Sequence, residues 1–250
     1  MDIAILMYVL GSVMILPALL FAMWAQYRVS SDFGRFSQIA SRRGLTGAQL
    51  ARKLLDQNGC GHVLISQGHG HLSDHYDPRK RLVCLSPDVY NSTSLAALGV
   101  AAHEVGHAIQ HQQRYVPLML RQIVIKSTSI INKALIPLII VGLIASIVVT
   151  GTTILGVASA TFFFWLIVAF CALYAVSFVV NLITLPTEIN ASNRAKQLLR
   201  NGGFLFDDEE YQAISRVLGA AALTYVASLL ISFVYMLRFL GLLLQLTRRR

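Results

Sequence analysis

Charge is scarce in this chain. Asp, Glu, Lys and Arg make up 13% of its 250 residues, about half of the roughly 25% usual for a soluble domain. With 55% hydrophobic residues beside it, that shortage excludes an ordinary water-soluble protein. The charges that exist are also unevenly placed. None occurs from Ile3 to Tyr27, from Ala134 to Thr187 or from Val217 to Leu237. A bilayer core asks for about 20 apolar residues per helix, so the first and third stretches hold one span each. The second stretch, 54 residues long, holds a pair that turns near Thr150-Gly151-Thr152-Thr153, where polarity and glycine interrupt the run. The expected architecture is a mainly α membrane protein with four transmembrane helices and a small α+β polar domain.

A basic leader is missing as well. Asp2 stands where a secretory signal would carry Lys or Arg, and the apolar run that follows exceeds the roughly 7–15 residues of a signal core. Residues 1–27 therefore read as a retained anchor, kinked at Pro17. Cysteine is short and odd in number: Cys60, Cys84 and Cys171. No disulfide framework or zinc ribbon fits that spacing, and buried free thiols in a reducing compartment are expected. The chain has no internal repeat, low-complexity tract or Gly/Ser linker. The polar domain is then a single body in two pieces, residues 28–133 and 188–216, separated by a membrane hairpin at 134–187. A C-terminal helix and basic tail at 217–250 complete the chain.

The net charge is +9, which raises nucleic-acid binding. The positions of the basic residues favour topology instead. Seventeen of the 21 Lys and Arg fall in 28–133 and 188–216, and none in the hairpin. The positive-inside rule puts those two pieces in the cytoplasm and the N-terminus outside. An even number of crossings returns the chain to the same side, so the pieces can meet. Arg248-Arg249-Arg250 fit less well, because a last helix that crosses fully leaves them outside. Either Phe239–Thr247 lies along the interface with Arg238 snorkelling, or the helix stops short of a full crossing.

Local signals fill in the polar pieces. Residues 28–45 read as a polar helix or linker. Thr46–Gln57 reads as a short amphipathic helix capped by Thr46 and stopped by Gly59. Short strands are expected at His62–Ser66, Leu72–Tyr76 and Arg81–Ser86, with Asp77-Pro78-Arg79-Lys80 as the turn between the last two. The Asn91-Ser92-Thr93-Ser94 cluster supplies N-caps for a helix over about 92–113. Pro186 is expected to end the third span, with Thr187 capping a new helix through Leu199. Asp207–Glu210 is acidic at a helix start, where the dipole favours anions.

Glutamate is the rarest charge, present only at Glu104, Glu188, Glu209 and Glu210. One of the four sits inside His103-Glu104-Val105-Gly106-His107, an H-E-x-x-H pattern. Residues four apart share a helix face, so His103 and His107 can bind one zinc ion while Glu104 acts as base on an activated water. A catalytic zinc wants three protein ligands. His111 continues the series, but on a straight helix it lies about 12 Å from His103 along the axis. Glu188, the first charge after 54 uncharged residues, is the stronger third ligand, and Asp74 and Asp77 are weaker alternatives. His75, Tyr115 and Arg194 are candidates for stabilising an oxyanion. His62, His69, His71 and His75 read as a solvated patch rather than a second metal site.

Three segments carry a resemblance. Gly70-His71-Leu72-Ser73-Asp74-His75-Tyr76-Asp77-Pro78-Arg79, Leu85-Ser86-Pro87-Asp88-Val89-Tyr90 and Ala101-Ala102-His103-Glu104-Val105-Gly106-His107-Ala108-Ile109-Gln110 resemble the YugP-type neutral zinc metallopeptidases of bacterial membranes. These are similar in plan to HtpX/Ste24-like membrane zincins. The resemblance implies a zincin-like catalytic domain of the gluzincin type, with Zn2+ held by His103, His107 and Glu188 and with Glu104 as base. It also implies that strands before the zinc helix pair with an extended substrate. The chain would then be a multi-pass protein of a bacterial cell membrane with a cytoplasmic catalytic domain. Its partners would be the lipid bilayer and protein or peptide substrates, without nucleic acid; a homo-oligomer is compatible with the sequence. One departure stands out. Such proteases are expected to carry an acidic residue soon after the ligand glutamate, whereas this chain reads Glu188-Ile189-Asn190-Ala191-Ser192-Asn193-Arg194. Asn190 or Ser192 would have to orient a ligand histidine. The competing reading is a catalytically silent zinc-binding membrane scaffold, for which a retained Glu104 serves no purpose.

Overall fold

A computed structural model of the chain describes residues 2–70, 73–124 and 155–248. The described chain is mainly helical with one small sheet. It divides into two compact units. The first comprises 1–22, 120–183 and 227–250, and the second comprises 23–119 and 184–226.

The first unit is built from apolar helices. Helix α1 (Ile3–Val13) is capped by Asp2, whose carboxylate accepts from the Ala4 amide. It gives way at Met14 to α2 (Ile15–Ser37). The break lies one turn before Pro17, which has no N–H to offer the Val13 carbonyl. Among the described residues, the first unit also holds the Leu155–Ile183 part of helix α7 (Leu155–Asn201) and the 227–248 part of helix α8 (Asp208–Arg248). Against α1, Gly11 meets the backbone of Arg238, Gly241 meets that of Tyr8, and Gln245 donates to the Ala4 carbonyl. The partners advance along α8 as they retreat along α1, so the two helices run antiparallel in close contact through small residues. Arg248 forms an ion pair with Asp2 at the end of this seam. Between α7 and α8 an aromatic stack runs through Phe170, Tyr174, Tyr235 and Phe239, with Tyr174 and Tyr235 centroids 4.8 Å apart. Asn181 donates to Ser232 on the same seam.

Among the described residues, three helical runs are long and apolar enough to cross a membrane: Ile3–Ser37, Phe163–Asn201 and Asp208–Arg248. The other expected span, near residue 134, and the turn at Thr150–Thr153 lie outside the described residues. Helix α8 continues unbroken through Arg238 to Arg248, so Phe239–Thr247 belongs to the same helix as the apolar run before it.

The second unit has the core. Helix α3 (Gly47–Gln57) opens with a reciprocal capping box: Thr46 accepts from the Gln49 amide, and the Gln49 side chain accepts from the Thr46 amide. Its leucines Leu50, Leu54 and Leu55 are fully buried, each stabilising by about 1.5–3 kcal/mol. They pack against Leu98, Ala101, Ala102 and Val105 of α5 (Leu95–Gln112) within one continuous core. Ser94 caps α5 by accepting from the Ala97 amide. A four-residue helix α4 (Pro87–Tyr90) precedes it, and α6 (residues 116–124) follows.

The sheet has the order β1-β3-β2. Strand β1 (Leu64–Gln67) is parallel to β3 (Leu82–Leu85), and β2 (His75–Asp77) is antiparallel to it. Alternate residues Val83 and Leu85 of β3 point into the core. The turn between β2 and β3 is held by Asp77, whose Oδ1 accepts from the Arg79 and Lys80 amides. Strands β1 and β2 begin two to three residues later than the alternation of residue types predicts.

One expectation is overturned outright. Pro186 does not end a helix; α7 passes through it to Asn201. The proline removes one backbone hydrogen bond, a loss long apolar helices tolerate. The residues after it are fixed by packing: Ala191, Ala195 and Leu199 are fully buried. Glu188 therefore sits inside a helix, not in the first turn of a new one.

Candidate zinc site

Within the second unit, α5 and the Thr184–Asn201 part of α7 lie antiparallel. Their closest approach is at Gly106, where a Cβ would stand 2.8 Å from the Ala191 carbonyl oxygen. No side chain fits there, so the H-E-x-x-H pattern carries glycine at its fourth position for a steric reason. One turn to either side of this contact the polar groups meet.

His103 Nε2 lies 3.2 Å from Glu188 Oε2, and His107 Nε2 lies 3.5 Å from the same oxygen. The two imidazoles are 4.8 Å apart, edge to face. The three ligand atoms fall within 4.8 Å of one another, the one such cluster among the described residues. Two ligands bonded at 2.0–2.1 Å in a tetrahedron stand about 3.3 Å apart, so the observed spacings suit zinc. The donor set of two imidazoles and a carboxylate is that of a catalytic site, which leaves one position open.

The far side of each ring is also occupied. Ser192 Oγ lies 3.1 Å from His103 Nδ1, and Gln110 Oε1 lies 3.0 Å from His107 Nδ1. With Nδ1 engaged, Nε2 of each ring is turned toward Glu188. Burial alone pushes the His107 imidazole down and the Glu188 carboxyl up. The hydrogen bonds and charges between them outweigh burial, so the imidazole is raised and the carboxyl is held well below the usual carboxylate range. Glu188 is almost fully buried, and a buried carboxylate needs a positive partner. Glu104 is buried on α5 next to His103, and its charge also favours the protonated form of His107.

The other candidates lie elsewhere. His111 Nδ1 is 2.9 Å from the Tyr76 hydroxyl. Asp74 accepts from the Ser86 amide and hydroxyl, which ties β2 to the entry of α4. Asp77 is spent on its turn. His75 is exposed on β2 with Nδ1 on the Ser73 carbonyl. The Tyr115 amide closes α5 on the Gln110 carbonyl. Arg194 donates from Nε to Asn190 and lines a cavity of about 370 Å³ with Gln57, Ile109 and Gln113. Glu210 bonds the Arg42 and Phe206 amides, and Asp207 caps α8. All three cysteines are free thiols. The residue that sequence reasoning passed over is Gln110. Its signal was available: an amide one turn after a ligand histidine on the same helix face.

A helical protein with runs apolar enough to cross a membrane, in which two histidines and a glutamate converge, has the makings of a zinc hydrolase. Comparison with known proteins agrees. The model of the family described as "Putative neutral zinc metallopeptidase" matches residues 11–244, and the chain belongs to that family. It is similar to the "Putative membrane protease YugP" of Bacillus subtilis (strain 168), with 42% identity over 228 residues, 90% of this chain and 92% of that protein. No solved structure matches the chain. The family implies Zn2+ as cofactor, and the His103, His107 and Glu188 cluster fits it.

Proposed function

We propose that this protein is a membrane-embedded endopeptidase of the H-E-x-x-H gluzincin type, which hydrolyses peptide bonds of protein or peptide substrates at the cytoplasmic membrane face. The observation that carries the reading is the convergence of His103, His107 and Glu188 beside Glu104. In this reading residues 28–133 and 188–216 form one zincin-like catalytic domain, four helices cross the bilayer, and the basic residues keep the domain inside.

When bound, zinc supplies a Lewis acid that acidifies water and polarises the scissile carbonyl. His103 and His107 would hold the ion through deprotonated Nε2 lone pairs, and Glu188 would contribute a negative charge that offsets part of the metal's. Glu104 takes a proton onto its carboxylate from the attacking water and hands it to the departing amine nitrogen. Its buried position limits competing solvent. Strand β2 packs beside α5, so its outer edge is suited to pairing with an extended substrate backbone.

The test is proteolysis of casein, or self-cleavage, by the full chain in membranes, with Glu104→Gln as the control. Wild type cleaves and the variant does not, although both carry zinc. Equal behaviour of the two with zinc fully loaded would sink the protease reading.

A further inference from the structure

Gln110 is fully buried, and all three of its side-chain hydrogen bonds converge on the site. Its Nε2 donates to the Thr187 carbonyl at 2.9 Å and to Asn190 Oδ1 at 2.9 Å. Its Oε1 faces His107 Nδ1 at 3.0 Å. An amide can be turned either way round, so what matters is which neighbours have a fixed polarity. Two of them do. The Thr187 carbonyl can only accept. Arg194 Nε can only donate, and at 2.7 Å it claims Asn190 Oδ1, which fixes the Asn190 amide as well. With an acceptor at Thr187 and an acceptor at Asn190, Gln110 must present its NH2 to both. Its oxygen must then face His107, and Nδ1 must carry the proton.

We propose that Gln110 is the positioning residue of the zinc site: anchored by Thr187 and by the Arg194–Asn190 pair, it sets the tautomer of His107 and leaves Nε2 free for the metal. This rests on the zinc-site reading above. It supplies with neutral amides what a carboxylate would otherwise do for a ligand histidine. The two histidines are also held unequally. Ser192 can donate or accept, so His103 is not tied to one tautomer by a fixed partner, whereas His107 is.

The experiment measures zinc affinity of the full chain in detergent micelles by chelator competition, with melting of each metal-free variant as a fold check. Wild type and Glu188→Ala establish whether zinc sits at this site. Gln110→Met, similar in length but without the amide, loses about 10–100-fold in zinc affinity. Gln110→Glu keeps an acceptor for His107 Nδ1 but gives up both N–H donations to Thr187 and Asn190. It falls between wild type and Gln110→Met, recovering about threefold or more of the affinity lost in Gln110→Met, a partial rescue that a merely space-filling role would not give. If Gln110→Met does not fold, Arg194→Met takes its place: it frees the Asn190 amide at the far end of the chain and lowers affinity by about 2–10-fold, less than direct loss of the outer partner. Wild-type affinity in a folded Gln110→Met, or equal losses in Gln110→Met and Gln110→Glu, overturns the proposal while leaving the zinc site intact. Zinc binding unaffected by Glu188→Ala overturns the site reading itself, and the proposal with it.

Discussion

Helix α5 and the Thr184–Asn201 part of α7 contribute to the same site in opposite ways. Helix α5 brings the two proposed histidine ligands, the proposed base and the glycine within five consecutive residues, and almost its entire length is buried. The α7 segment brings the proposed ligand Glu188 after a long apolar run and follows it with neutral residues. Glu188 lies 85 positions from His103, and only the antiparallel crossing at Gly106 and Ala191 makes them neighbours. A site built on one helix tolerates little change in sequence. A site completed by a second helix also depends on the distance between the two.

The sharpest way to break the comparison is to remove the long-range ligand. Glu188→Ala leaves two imidazoles on α5, and zinc affinity measured by chelator competition should fall by more than about 100-fold, beyond the 10–100-fold typical of an outer partner. Proteolysis should vanish with it and should not return at moderate zinc excess. Loss of only a fewfold would mean that α5 finds its third ligand elsewhere. Next comes the base. Glu104→Gln should cut turnover about 10²–10⁴-fold while zinc stoichiometry, read by elemental analysis, stays at the wild-type value. A matching loss of zinc would assign Glu104 to metal binding instead of proton transfer.

The distance between the helices is tested third. Gly106→Leu places a branched side chain against the Ala191 backbone, where even a Cβ would be 2.8 Å from the carbonyl. Helix propensity alone would favour leucine over glycine by nearly 1 kcal/mol. Overpacking is expected to win, with a net loss of about 1–3 kcal/mol in denaturant unfolding and a fall in zinc affinity in the same variant. A stabilised protein would show that the helices have room to separate.

The contrast between the helices also decides what the sequence could disclose. The α5 contribution is legible because helical spacing is local: His103 and His107 need nothing but a regular helix to share a face. The Thr46 cap, the Gly59 stop (φ +71°) and the Ser94 cap are local in the same sense, and each falls near its expected place. Glu188 is legible only as a charge after a long silence, and the new helix expected after Pro186 does not begin there. Proline breaks helices by a local rule, and tertiary packing of Ala191, Ala195 and Leu199 overrides that rule here. Gln110 escapes notice because its value lies in what faces it. Thr187 and Asn190 come within reach through a crossing angle that no short window of sequence contains.

The smallest effect bears on the inequality between the two histidines. Ser192 Oγ is the outer partner of His103 at 3.1 Å, and a hydroxyl adapts to whichever tautomer the ring adopts. Ser192→Ala leaves little empty volume and removes one neutral hydrogen bond, worth about 0.5–1.5 kcal/mol. That corresponds to roughly a two- to tenfold loss of zinc affinity, at or below the low end of the 10–100-fold usual for outer partners. The measurement is again chelator competition on the full chain, with Ser192→Thr keeping the hydroxyl and recovering most of the affinity. A loss from Ser192→Ala as large as that from Glu188→Ala would mean that His103, not His107, is the ligand whose orientation limits the site, and that the α7 segment controls it through a single hydroxyl.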